Sequence, residues 1–110
     1  MTFGNYVACL QIRDYRIDYS TNISTVLSNG YVSVKIYKST LAREKMNGIL
    51  VYDGKGRHIL AATDDASYSD DVVTILKYEE LKEILLGEPE KIISRLRMKQ
   101  VEKVIERLEG

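Results

Sequence analysis

The residues best placed to hold a metal are Asp64, Asp65, Asp70 and Asp71, four carboxylates within eight positions of the sequence. Hard oxygen ligands gathered this way could bind Mg2+ or Ca2+, and a bound divalent ion activates water, the chemistry of a metal-dependent hydrolase or nuclease. The stretch lacks the alternate-position ligands, central glycine and distal glutamate of a calcium-binding loop, so the competing reading is an acidic loop that is merely well solvated. Glu80-Leu81-Lys82 spells the Glu-x-Lys fragment of many nucleases, but Lys82 falls in a segment with helical spacing and the match is read as chance. His58 is the only histidine, which excludes multi-histidine metal sites within one chain, and Ser, Cys and His show no spacing of a nucleophilic triad. Gly54-Lys55-Gly56 lacks the length and the following Lys-Ser/Thr of a phosphate-binding loop and reads as a turn. No cofactor is implied, and the balance of these residues points away from an enzyme.

Basic side chains supply a second chemistry. Lys55, Arg57 and His58 on a predicted hairpin, with Arg95, Lys99, Lys103 and Arg107 on the last predicted helix, could line a nucleic-acid surface. Glu102 and Glu106 interrupt that row, and sixteen acidic residues cancel sixteen basic ones, so no overall field draws the chain to polyanions. Eight of the nine aromatic residues are tyrosine. Tyr15, Tyr19, Tyr31 and Tyr37 could present rings on an exposed sheet face, for stacking bases or anchoring a protein, although tyrosine is also a good strand former.

The elements that must position these groups follow from periodicity. Tyr6, Ala8, Leu10 and Ile12 alternate, then Tyr15, Ile17 and Tyr19 alternate out of phase, which predicts a strand over 5–19 bent near Arg13. Asn29-Gly30 predicts a two-residue hairpin turn that sets Leu27 opposite Val32, Thr25 opposite Val34 and Ile23 opposite Ile36. The reverse face then carries Ser24, Val26, Ser28, Tyr31, Ser33, Lys35 and Tyr37. Good helix formers over 41–46, capped by Ser39 or Thr40 and ended by Gly48, predict a short helix between strands. A second hairpin follows over 49–52 and 57–63, then the acidic loop, a strand over 72–77, a helix over 78–86 and a final helix opened by Pro89.

The fold class expected is a single α+β domain over 1–110: a mainly antiparallel sheet built from hairpins, one short helix between strands and two C-terminal helices. Its size and its 45% apolar content suffice for a core without disulfide or metal. The lone Cys9, the absence of an apolar run near the roughly 20 residues of a membrane span, and the lack of a signal pattern favour a cytoplasmic protein with no membrane partner. Abundant Ile, Lys, Glu and Tyr with no Trp fit a thermophilic host or an archaeal virus.

The last helix, over 89–109, carries the most specific expectation. Ile92, Ile93 and Leu96 lie on one side, whereas Met98, Val101, Val104, Ile105 and Leu108 cluster roughly 140° further round at about 100° per residue. One straight helix cannot lay both stripes on one flat sheet. Either it bends near Arg97, or its second half meets another surface, of which a second copy of the chain is the simplest. The leading expectation is therefore a non-catalytic interaction or regulatory module, homo-oligomeric through that helix or bound to another protein, with nucleic-acid binding and metal-dependent hydrolysis as the alternatives.

Overall fold

Residues 3–12 form a helix, α1 (Phe3–Ile12), where alternation suggested a strand. Phe3, Tyr6, Val7 and Leu10 recur at the spacing of one helical face, and of these Tyr6, Val7 and Leu10 are buried while Ile12 is 79% exposed. Thr2 caps the start by accepting the Asn5 N–H at 3.1 Å. The bend expected near Arg13 is the helix end: Asp14 takes φ 66°, and the N–H of Tyr15 returns to the Leu10 carbonyl. Cap and period together outweigh the accidental alternation of Tyr6, Ala8, Leu10 and Ile12.

The computed structural model describes residues 2–42, 44–63 and 75–109. After α1 come β1 (Arg16–Ser20), β2 (Ser24–Ser28), β3 (Val32–Lys38), β4 (Met46–Asp53), β5 (His58–Ala62), the short β6 (Ile75–Leu76), α2 (Tyr78–Leu85), a 3-10 turn over Pro89–Lys91 and α3 (Ile92–Glu109). The strands lie in one six-stranded sheet in sequence order, antiparallel from β1 to β5, with β6 parallel to β5. The α+β class and the two C-terminal helices stand as expected. A helix precedes the sheet, and none interrupts it among the described residues.

Where a helix is predicted over 41–46, the described residues form a loop and a strand start. Ser39 Oγ accepts the N–H groups of Leu41 and Ala42, Glu44 takes φ 65°, and Met46 is already the first, buried residue of β4. So short a segment is costly to nucleate, and with Leu41 98% exposed it has no apolar face to bury. The loop is tied instead to α1, the Phe3 N–H donating to the Glu44 carbonyl at 2.7 Å.

The first hairpin keeps its predicted faces in a register shifted by two residues. Leu27 pairs with Val34 and Thr25 with Ile36, and Gly30-Tyr31 form the tip. The cause is the Asn29 side chain, whose Oδ1 accepts the N–H groups of both Tyr31 and Val32 at 3.0 Å and moves the closing pair to Asn29 and Val32. A two-residue shift preserves a period of two, so only Ile23, now half exposed beyond the strand, leaves the apolar face.

That face is the floor of the core. Leu27, Val34, Val51 and Leu60 form one cross-strand row of fully buried side chains, and Ile36, Ile49 and Ala62 a second. Tyr6, Val7 and Leu10 of α1, Leu81, Ile84 and Leu85 of α2, and Ile92 and Leu96 of α3 close over it in one cluster. Tyr15 is buried there, not displayed, its hydroxyl donating to the Leu85 carbonyl at 2.8 Å. No helix among the described residues is long and apolar enough to cross a membrane.

Candidate functional site

α3 is one continuous helix with no break at Arg97, so the side switch of its apolar residues survives into the structure. Ile92 and Leu96 are fully buried against the core. One turn further the same side presents Gln100, which donates through Nε2 to the Ile59 carbonyl of β5, and then the half-buried Lys103. The side of the helix that faces the domain has therefore turned polar. Met98, Val101, Ile105 and Leu108 point roughly 160° away from Leu96 at about 100° per residue, and with Val104 they are between 46% and 83% exposed.

This distribution has a direct physical consequence. Isolated helices of this length are marginal in water, and α3 is held by packing only through its first half. Its second half leaves five large apolar side chains in solvent on a single stripe, where scattered single exposures would be ordinary. Lys99 pairs with Glu102 at 3.2 Å and Lys103 with Glu106 at 3.6 Å along the flank, leaving the stripe free of charge.

The basic residues read from the sequence lie on two elements, the β4–β5 turn and α3. Arg95 lies against the end of α2, where a Cβ on Gly87 would come within 2.9 Å of its Nη1. Arg95 and Lys99 line a groove of about 290 Å3 shared with Glu80, Glu83 and Ile84. At the β4–β5 turn Lys55, Arg57 and His58 are all exposed, but Arg57 is engaged, its Nε 3.2 Å from Asp53 Oδ2. Asp53 organises this turn: its carboxylate also accepts the N–H groups of Lys55 and Arg57 at 2.9 Å. The Arg57 N–H foremost, then that of Lys55 and the guanidinium, hold its carboxyl below the usual carboxylate range against the opposing effect of burial. Arg107 lies in α3. Asp64, Asp65, Asp70 and Asp71 lie outside the described residues, and among the described residues no three His, Cys, Asp or Glu side chains converge on a metal-sized site.

One group was not assembled by sequence reasoning. The sheet side turned away from the helices brings Tyr52 of β4 and Tyr19 of β1 to the face that already held Lys35 and Tyr37. Tyr52 alternates with the buried Val51, so its side of the strand was readable; its neighbours depended on strand order.

Comparison of the chain with protein-family models, curated proteins and solved structures finds no match.

Proposed function

We propose that the chain is a non-catalytic interaction module that works as a homodimer, pairing through residues 98–108 of α3. The observation that carries this reading is the exposed stripe of Met98, Val101, Val104, Ile105 and Leu108 on a helix whose opposite side is already committed to its own domain.

A second copy fits the stripe better than an unrelated surface for three reasons. Met98, Val101, Ile105 and Leu108 are spaced by three, four and three residues, the seam of a two-stranded coiled coil. The stripe points away from the sheet, so two domains joined along it sit on opposite sides of the helix pair without collision. Charge then selects the direction. In a parallel pair Arg97 flanks the seam beside the partner's Glu102, whereas an antiparallel pair sets Glu102 against the partner's Glu102 and Glu109.

Two short heptads make a small interface. Burying the exposed part of five side chains per helix contributes about 1 kcal/mol each, roughly 10 kcal/mol for the pair, against an association cost of about 4–15 kcal/mol. The dimer expected is therefore weak and concentration-dependent. A charge swap tests its geometry: Arg97→Glu weakens dimerisation in sedimentation equilibrium, and Arg97→Glu combined with Glu102→Arg restores it. Failure of the double variant to recover would rule out the parallel arrangement.

A further inference from the structure

The outer face of the sheet is built differently from the inner one. Strand pairing places Arg16, Ser28, Ser33, Tyr52 and His58 in one row, Tyr19, Val26, Lys35, Leu50 and Ala61 in the next, and Ser24, Tyr37 and Gly48 in a third. No described helix lies on these rows; the helices pack on the opposite, mainly apolar side. In a chain whose charges balance, the rows contain two permanent cations and no carboxylate.

The aromatic groups are held in place there. Lys35 Nζ sits 5.1 Å from the centre of the Tyr37 ring, and Tyr52 leans on His58 with ring centres 5.5 Å apart and an interplanar angle of 40°. The Tyr37 hydroxyl beside the ammonium raises Lys35 above the usual lysine value, so the cation persists throughout the physiological range. Tyr37 pairs with Gly48 and Tyr52 with Ser33, so the two tyrosines flank the Lys35–Leu50 pair, with Cα positions roughly 14 Å apart by strand geometry. They are too far apart to sandwich one planar group and suitably placed to take two.

We propose that this face is a stacking platform for single-stranded nucleic acid, with Tyr37 and Tyr52 each receiving a base and Lys35 between them meeting the phosphate backbone. Every base has a π-face, so propped rings bind without sequence readout, and a cation between them supplies the electrostatic part. Duplex bases are already stacked on one another and offer these rings nothing. The centre of a protein-binding face is depleted of charge, whereas here the Lys35 cation stands in the middle, between the two rings.

The test is fluorescence anisotropy of the full chain with a labelled oligothymidine and oligouridine, and with a duplex of equal length, at low and moderate salt. The single strands bind, the duplex binds at least about tenfold more weakly, and affinity falls as salt rises. Tyr37→Ala and Tyr52→Ala each weaken single-strand binding by about fivefold to a hundredfold, while Tyr37→Phe, which keeps the ring, stays within about twofold of the parent. Unchanged melting temperatures show that these surface variants still fold, and Lys35→Gln, which reduces the salt dependence, provides an independent check. No binding at low salt, equal binding of duplex and single strand, or alanine variants that bind like the parent would each overturn the proposal. The first result would leave the face to a protein ligand.

Discussion

The two tyrosine hydroxyls that reach α2 are chemically alike but hold carbonyls in different situations. Tyr15 donates at 2.8 Å to the carbonyl of Leu85, the last residue of α2. The intrahelical donor for that oxygen would be the N–H four residues on, and that residue is Pro89, which has none. Tyr6 donates at 3.0 Å to the carbonyl of Tyr78, the first residue of α2, where Lys82 stands four residues on as the ordinary helical donor. Tyr15→Phe therefore strands a buried acceptor and costs about 1–3 kcal/mol, whereas Tyr6→Phe removes an additional bond and costs about 0.5–1.5 kcal/mol. At about 2 kcal/mol the Tyr15 variant melts roughly 10 °C below the parent, and at about 1 kcal/mol the Tyr6 variant melts roughly 5 °C below it. Differential scanning calorimetry or circular dichroism at neutral pH reads both. Equal shifts, or a larger loss at Tyr6, would refute the claim that Pro89 makes the Leu85 carbonyl depend on Tyr15.

Along α3, Leu96→Ala costs about 2–5 kcal/mol in urea unfolding because the side chain is fully buried, while Leu108→Ala, 83% exposed, stays within about 0.5 kcal/mol when measured on dilute monomer. Gly48 occupies φ 129° at the β4 irregularity opposite Tyr37, so Gly48→Ala destabilises by about 1–3 kcal/mol through backbone strain, since a Cβ there would meet nothing nearer than 4.0 Å. Asp53 has its carboxyl held low in the folded chain, so its contribution to stability is complete above the ordinary carboxylate value and is lost as pH falls through the depressed one. Asp53→Asn should therefore melt below the parent at neutral pH, with a gap that narrows on acidification from near pH 4 downwards; a gap independent of pH would refute the role given to the carboxylate.

The parts of this fold legible in the sequence are those where one physical signal acts alone. The second hairpin and the C-terminal helices have clean periods and punctuation, and the change of side at Arg97 could be read from angular spacing. The sequence of α1 is ambiguous because Tyr6 and Leu10 satisfy both a period of two and a period of 3.6; the Thr2 cap, immediately before the helix, decides between them. The 41–46 segment has helical propensity but nothing to pack against, and propensity over so few residues cannot pay for nucleation. In the first hairpin, backbone turn preference identified the faces, while a side-chain acceptor on Asn29 fixed the register. The outer sheet face was half visible: Lys35 and Tyr37 belonged to the predicted exposed side of that hairpin, but bringing Tyr19 and Tyr52 beside them required the order of four strands.

The association state of the full chain tests the central claim most directly. Sedimentation velocity with multi-angle light scattering, over a concentration series reaching about 100 µM, should show the mass rising from one chain of 12.6 kDa towards two. Ile105→Glu places a charge in the middle of the stripe and should hold the protein at the single-chain mass with an unchanged circular dichroism spectrum and melting temperature in dilute solution. A single-chain mass for the parent at every concentration, or a dimer that Ile105→Glu leaves intact, would contradict the account.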